Sequence, residues 1–93
     1  MITPTIGMGV TVYHYTDRTA HTIIRVSTSG KTVWIQRDKA VNIGPGHTQE
    51  WDITPDPEGA VSEVRLRGGR WKQVGTKHYV LLGERRERFD FEF

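Results

Sequence analysis

The side chains best suited to chemistry in this sequence are guanidinium groups and flat rings. Arg18 and Arg37 stand singly, Arg67 stands among other basic residues, and Arg85, Arg86 and Arg88 stand together near the C-terminus. A guanidinium is a planar fork of N–H donors that meets a phosphate in two parallel bonds. Tyr13, Trp34, Trp71 and Phe89 supply planes on which a base can stack. Asp17 and Asp90 can accept hydrogen bonds from ribose hydroxyls or an exocyclic amine, or can orient the arginines. His21 lies in the same stretch as Arg18 and joins these residues as a candidate contact. Together they point to a flat, anionic, nucleotide-like ligand. Each arginine also has a plainer reading, as a solvated surface group or half of an ion pair. Asp17 has one as a turn residue bonding its own following backbone. Trp34 has one in a subunit interface, where aromatic residues and Arg are enriched.

Catalytic constellations are absent from the sequence. It contains no phosphate-binding loop, no dinucleotide-binding glycine fingerprint in a βαβ unit and no HExxH. The four histidines, at positions 14, 21, 47 and 78, are scattered. His14 and His21 can approach each other across adjacent strands, but no third ligand accompanies them, so no metal site is expected. Acidic pairs such as Asp17 with Asp38, or Asp52 with Asp56, arise by chance on a surface with 11 acids. The expectation is a binding protein that needs no cofactor, not an enzyme.

The elements that must position these groups are strands. His21 to Val26 and Thr32 to Arg37 alternate with a period of two and are rich in β-branched residues. Ser27 to Lys31 lies between them, and Gly30 can take the positive φ of a tight hairpin. The alternation predicts Ile24, Val26, Val33 and Ile35 facing the core, with Trp34 displayed on the other side near arginines. Val10 to Tyr15 reads as a preceding strand, joined to the hairpin by the polar turn Thr16 to Thr19 with Arg18 at its tip. Residues 1–6 form a loose lead-in, with Pro4 limiting regular pairing.

Asp38 to His47 reads as a loop from its Gly/Pro content. Residues 48–54 alternate with Gln49, Trp51 and Ile53 on one face. A proline turn follows at 55–59. Ala60 to Arg67 and Arg70 to Val74 are strands joined by Gly68-Gly69, a pair suited to the two-residue turn that matches strand twist. Tyr79 to Leu82 is a short apolar strand that Gly83 ends. Phe89, Phe91 and Phe93 alternate with Arg88, Asp90 and Glu92, as in a final strand. Helical spacing appears nowhere. The prediction is an all-β fold of six or seven short strands, a strongly bent antiparallel sheet or small barrel.

With 93 residues the chain is a single domain near the lower limit of a self-sufficient core, and 35% hydrophobic residues keep that core small. A chain this small and polar gains from oligomerisation. Thirteen basic residues against 11 acidic ones leave a net +2, too little for a DNA coat or histone-like protein. The charge is instead concentrated in two basic clusters, Arg65 to Lys72 and Arg85 to Arg88. No cysteine is present, which excludes disulfides and thiolate chemistry. No run approaches a membrane span and no signal-peptide core opens the chain, so the expectation is a soluble, intracellular protein.

Several stretches in order resemble the Thoeris anti-defence 1 family of phage proteins. They are Gly7-Met-Gly-Val-Thr-Val12, Tyr15-Thr-Asp-Arg-Thr-Ala-His-Thr-Ile23 and Gly30-Lys-Thr-Val-Trp-Ile-Gln-Arg-Asp-Lys-Ala40. Gln49-Glu-Trp-Asp-Ile53, Arg67 to Trp71 and Gly83 to Phe93 continue the likeness. The resemblance implies a homo-oligomeric sponge, a dimer able to assemble into a hexamer. Such a protein binds TIR-generated cyclic ADP-ribose isomers, and in some members cyclic di- or trinucleotides, without cleaving them. It would thereby inhibit Thoeris and also CBASS immunity, in the cytoplasm of an infected bacterial host. No membrane and no long nucleic acid is expected as a partner. On this likeness the Thr16 to Arg18 turn and the C-terminal Arg/Asp strand are the ligand contacts. The Asn42 to His47 loop is shorter than the family pattern, and Gly68 stands where a turn asparagine is usual. The GMGVTV-like opening also resembles small SH3-like barrels, which would make the chain a binder of single-stranded nucleic acid. A third reading is a protein-blocking inhibitor whose aromatic face is only an interface.

Overall fold

The structure is a computed structural model, and it describes residues 3–14, 16–45, 50–76 and 78–88. Eight strands follow in order: β1 (Gly9–Tyr13), β2 (Arg18–Val26), β3 (Thr32–Arg37), β4 (Lys39–Asn42), β5 (Trp51–Thr54), β6 (Val61–Arg67), β7 (Arg70–Gln73) and β8 (Tyr79–Leu82). Six of them close an antiparallel barrel in the order β1-β2-β3-β6-β7-β8, and β4 with β5 forms a separate two-stranded sheet. The fold is therefore all-β. Of the two forms expected, the closed barrel is the one adopted, and closure removes the free edges a bent sheet would expose. No helix among the described residues is long and apolar enough to cross a membrane.

The barrel is filled by the inward members of each alternation. Val10, Val12, Ile23, Val33, Ile35 and Val64 are fully buried, with Val80 and Leu82 nearly so, and Met8, Val26 and Trp71 pack against them. Short branched residues suit this space, because the interior of a six-stranded barrel admits only small side chains. Gly30 (φ +73°) and the pair Gly68 and Gly69 (φ +58° and +77°) adopt the turn geometry their hairpins require.

One face assignment is corrected by the structure. Ile23 is in the core and Ile24 is 39% exposed, the reverse of strict alternation. A bulge is the reason: Ile23 pairs with Ile35 and Arg25 with Trp34, so Ile24 is an extra residue on β2. The bulge resets the phase and returns Val26 to the core side. Trp34 does face outward as expected, with the Arg25 guanidinium 4.7 Å from its ring centroid.

Two further boundaries differ. Arg18 begins β2, paired with Tyr13, and is not at the turn tip. The expected loop after Asp38 contains β4, whose outward residues are Lys39 and Val41. Its one large aliphatic side chain, Val41, is 47% exposed, so hydrophobic patterning carries no strand signal there. The chain returns to the barrel through the Asp56 turn, in which the Asp56 carboxylate accepts from Glu58 N–H at 3.0 Å. Gly59 ends that turn under the Arg37 carbonyl, where a Cβ would collide with backbone. The predicted final strand, with Phe89, Phe91 and Phe93, lies outside the described residues.

The bulge yields a test by contrast. Ile23→Ala should cost about 2–5 kcal/mol in urea unfolding, and Ile24→Ala less than about 1 kcal/mol. Equal losses would place the bulge elsewhere.

Candidate functional site

After Gly83 the chain runs as a strap, residues 84–88, across the outer face of β1 and β2. Thr11 anchors its start: the Thr11 hydroxyl donates to the Glu84 carbonyl at 2.7 Å and accepts from Arg86 N–H at 3.0 Å. At its end Arg18 and Arg88 exchange backbone hydrogen bonds of 2.9 and 2.8 Å. The covering strap explains why Thr11, Ala20 and Thr22 are buried although they alternate with the barrel-facing residues.

Two buried carboxylates hold the strap down. Glu87, with a side-chain exposure of 0%, pairs with Arg37 at 2.8 Å and accepts from Ala20 N–H at 3.0 Å. Asp38, also at 0%, lies 3.2 Å from Arg85 Nε and accepts from the Thr22 hydroxyl at 2.5 Å. Arg37 donates further to the carbonyls of Ala20 and Asp38, and Arg85 to the Gly7 carbonyl and the Thr22 hydroxyl. These two nominated arginines therefore form structural ion pairs, one of the two readings open for them from sequence.

Between the strap and β5 lies a cavity of ≈ 440 Å³, lined by Arg18, Trp51, Ile53, Arg85, Arg86, Glu87 and Arg88. Four arginines converge there. Arg86 pairs with Glu84 at 2.6 Å, but both side chains are half-exposed and the pair is weak. Among the described residues neither Arg18 nor Arg88 has a carboxylate partner. Arg18 Nε is buried and has no hydrogen-bond partner among the described residues, and its guanidinium lies 5.1 Å from the Tyr13 ring centroid. The cavity thus offers two guanidiniums that have no carboxylate partner among the described residues, beside an indole, which suits phosphate oxygens next to a flat ring.

Four of the nominated residues, Arg18, Arg85, Arg86 and Arg88, share this cavity. Trp34 does not line it; it sits on the outer face of β3, opposite Glu63 of β6. The aromatic wall is Trp51 instead. Sequence reasoning assigned Trp51 a face with Ile53 but no ligand role, because β4 and β5 could not be placed beside the strap. Arg67 is exposed at the β6–β7 hairpin. Trp71 packs partly against the core. Asp17 serves its turn: its carboxylate accepts from the Thr16 hydroxyl at 3.2 Å, and its carbonyl accepts from His14 N–H at 2.9 Å. Phe89 and Asp90 lie outside the described residues.

His21 is buried, not displayed. Its Nε2 and the Nε2 of His14 both reach the Thr19 hydroxyl, at 3.0 and 2.9 Å, and the His14 ring meets His78 edge-on at 4.5 Å. Burial lowers the His21 pKa to about 4, helped by the nearby Arg37 and His14. His14 is lowered too, by burial first and then by His78. Among the described residues no three His, Asp or Glu side chains gather as a metal-binding group.

Two predictions follow from these contacts. Arg37→Met leaves the Glu87 carboxylate buried and unpaired and should cost about 3–5 kcal/mol, whereas Arg86→Met should cost less than about 1 kcal/mol. For His21 the folded pKa lies below the unfolded value, so the unfolded chain takes up more protons between them. Stability should be full above about pH 6.5 and fall towards pH 4, by roughly 3 kcal/mol from this group. Urea midpoints measured across that range should drop in the wild type and flatten in His21→Gln.

Comparison of the chain with protein-family models, curated proteins and solved structures finds no match, so the functional reading rests on this cavity and on the sequence resemblance.

Proposed function

We propose that this chain binds and sequesters small cyclic nucleotides in the cavity between the strap and β5 and releases them uncleaved. The observation that carries the proposal is the backbone-joined pair Arg18 and Arg88, both without a carboxylate partner among the described residues. Together they border ≈ 440 Å³ of space walled by Trp51. A cyclic nucleotide has the complementary parts, phosphates for the guanidiniums and a base for the indole.

The resemblance to Thoeris anti-defence 1 proteins gives the biological form of the proposal. The ligands are cyclic ADP-ribose isomers and cyclic di- or trinucleotides. Binding them in the cytoplasm of an infected bacterium deprives Thoeris or CBASS effectors of their signal. The protein acts as a homo-oligomer, a dimer that can build to a hexamer.

The test is retention. Protein incubated with a cyclic ADP-ribose isomer or a cyclic trinucleotide, stripped of free ligand and heated, should release intact ligand on chromatography. Arg18→Glu and Arg88→Glu should each weaken retention at least about 100-fold with an unchanged melting curve, since each replaces a charge-assisted contact by repulsion. Cleaved product would make the protein an enzyme, and absence of retained ligand would reject sequestration. A monomeric solution mass with and without ligand would remove the oligomer.

A further inference from the structure

A second surface, outside the strap cavity, has the chemistry of a nucleic-acid track. Pairing registers place one row of side chains across the outside of the barrel: Arg65 opposite Lys72, Lys72 opposite Tyr79, Tyr79 opposite Tyr13, and Tyr13 opposite Arg18. Directly opposed residues share a face, so these groups lie side by side at strand spacing. Four steps of about 4.8 Å make a row of roughly 20 Å.

The rings and cations are in contact. The Arg70 guanidinium and the Lys72 ammonium lie 5.5 and 5.2 Å from the Tyr79 ring centroid, and Arg18 lies 5.1 Å from that of Tyr13. Tyr79 is 44% exposed and Leu81 38%. A largely apolar hollow of ≈ 420 Å³ opens between Tyr13, Arg70, Trp71, Tyr79 and Leu81. Among the described residues Arg67, Arg70 and Lys72 have no carboxylate partner, whereas Arg65 is paired with Glu63 at 2.6 Å.

We propose that this face binds single-stranded nucleic acid, with a base seated in the hollow against Tyr79 and Tyr13 and the backbone phosphates on Arg70, Lys72 and Arg67. The hollow separates this ligand from an acidic peptide, which would use the cations but leave apolar rings uncovered. Exposed bases separate it from a duplex, whose bases are already stacked.

The experiment is fluorescence anisotropy with a labelled oligothymidylate of about ten nucleotides, titrated from about 20 to 200 mM salt. With three phosphate contacts, from Arg67, Arg70 and Lys72, log affinity should fall against log salt with a slope of about −2. Arg70→Glu/Lys72→Glu should weaken binding at least about tenfold and flatten the slope by about 1.4. Tyr79→Ala, at an exposed position, should weaken it roughly tenfold through lost stacking. All these variants should retain cyclic nucleotide in the strap cavity like the wild type, and Arg88→Glu should lose that retention while still binding the oligonucleotide. Absence of binding at low salt, equal affinity for duplex or for polyglutamate, or no effect of Arg70→Glu/Lys72→Glu would overturn the proposal. None of those outcomes touches the strap cavity.

Discussion

Everything at the arginine-rich end of this molecule depends on keeping two carboxylates out of water. Glu87 and Asp38 are both at 0% side-chain exposure, and each is matched by a guanidinium on a different element. A buried ion pair adds little net stability, since the desolvation penalty offsets most of the Coulomb gain. What it does enforce is position, because a misplaced strap would leave either charge buried alone. Glu87 also takes the Ala20 N–H just beyond the end of β3, where no strand neighbour is available to accept it. The strap is therefore seated at two fixed points, and the arginines between and beyond them are aimed as a consequence.

This division of labour sorts the basic residues by what they face. Arg37 and Arg85 are turned inward to the carboxylates, while Arg18 and Arg88 are left to the cavity. From sequence alone the six candidate arginines look alike. They differ only because Asp38 and Glu87, 49 positions apart in the chain, come to lie at neighbouring points of β2. Non-local pairing of acids with bases has no sequence period, so it could not be read in advance.

What was legible was whatever local physics decides. Alternation, a short apolar run and turn signals located seven of the eight described strands, and the glycine pair at 68 and 69 located a hairpin. Val33, Ile35 and Val64 belong to the core on that pattern alone. The failures have equally specific causes. Ile24 was assigned inward because a bulge is an insertion in register, invisible to a period of two. β4 was read as loop because of the Gly44-Pro45-Gly46 run that follows it, and its exposed valine and inward-side asparagine offer no hydrophobic alternation against that reading. His21 was read as a ligand contact because nothing in the sequence shows that its ring turns into the barrel end beside Thr19. Trp51 was passed over for the opposite reason, since its neighbour across the cavity is a strap some 35 positions away.

Arg18 shows why such a site can be prepared before a ligand arrives. Its backbone is bound on one side to β1 and on the other to Arg88, and its guanidinium is held over Tyr13. A side chain fixed in this way has already lost much of the rotamer freedom that binding would otherwise cost. Its Nε has been withdrawn from water without receiving an acceptor from the described residues. An unsatisfied donor of that kind carries a penalty of about 1–3 kcal/mol in the empty protein. On the proposed function an incoming anion would meet the outer N–H groups of this guanidinium, and the side chain's fixed position, not its buried Nε, is what lowers the cost of binding. On that reading a preference for anions at this position follows from the charge of a guanidinium already held over Tyr13 and joined to Arg88.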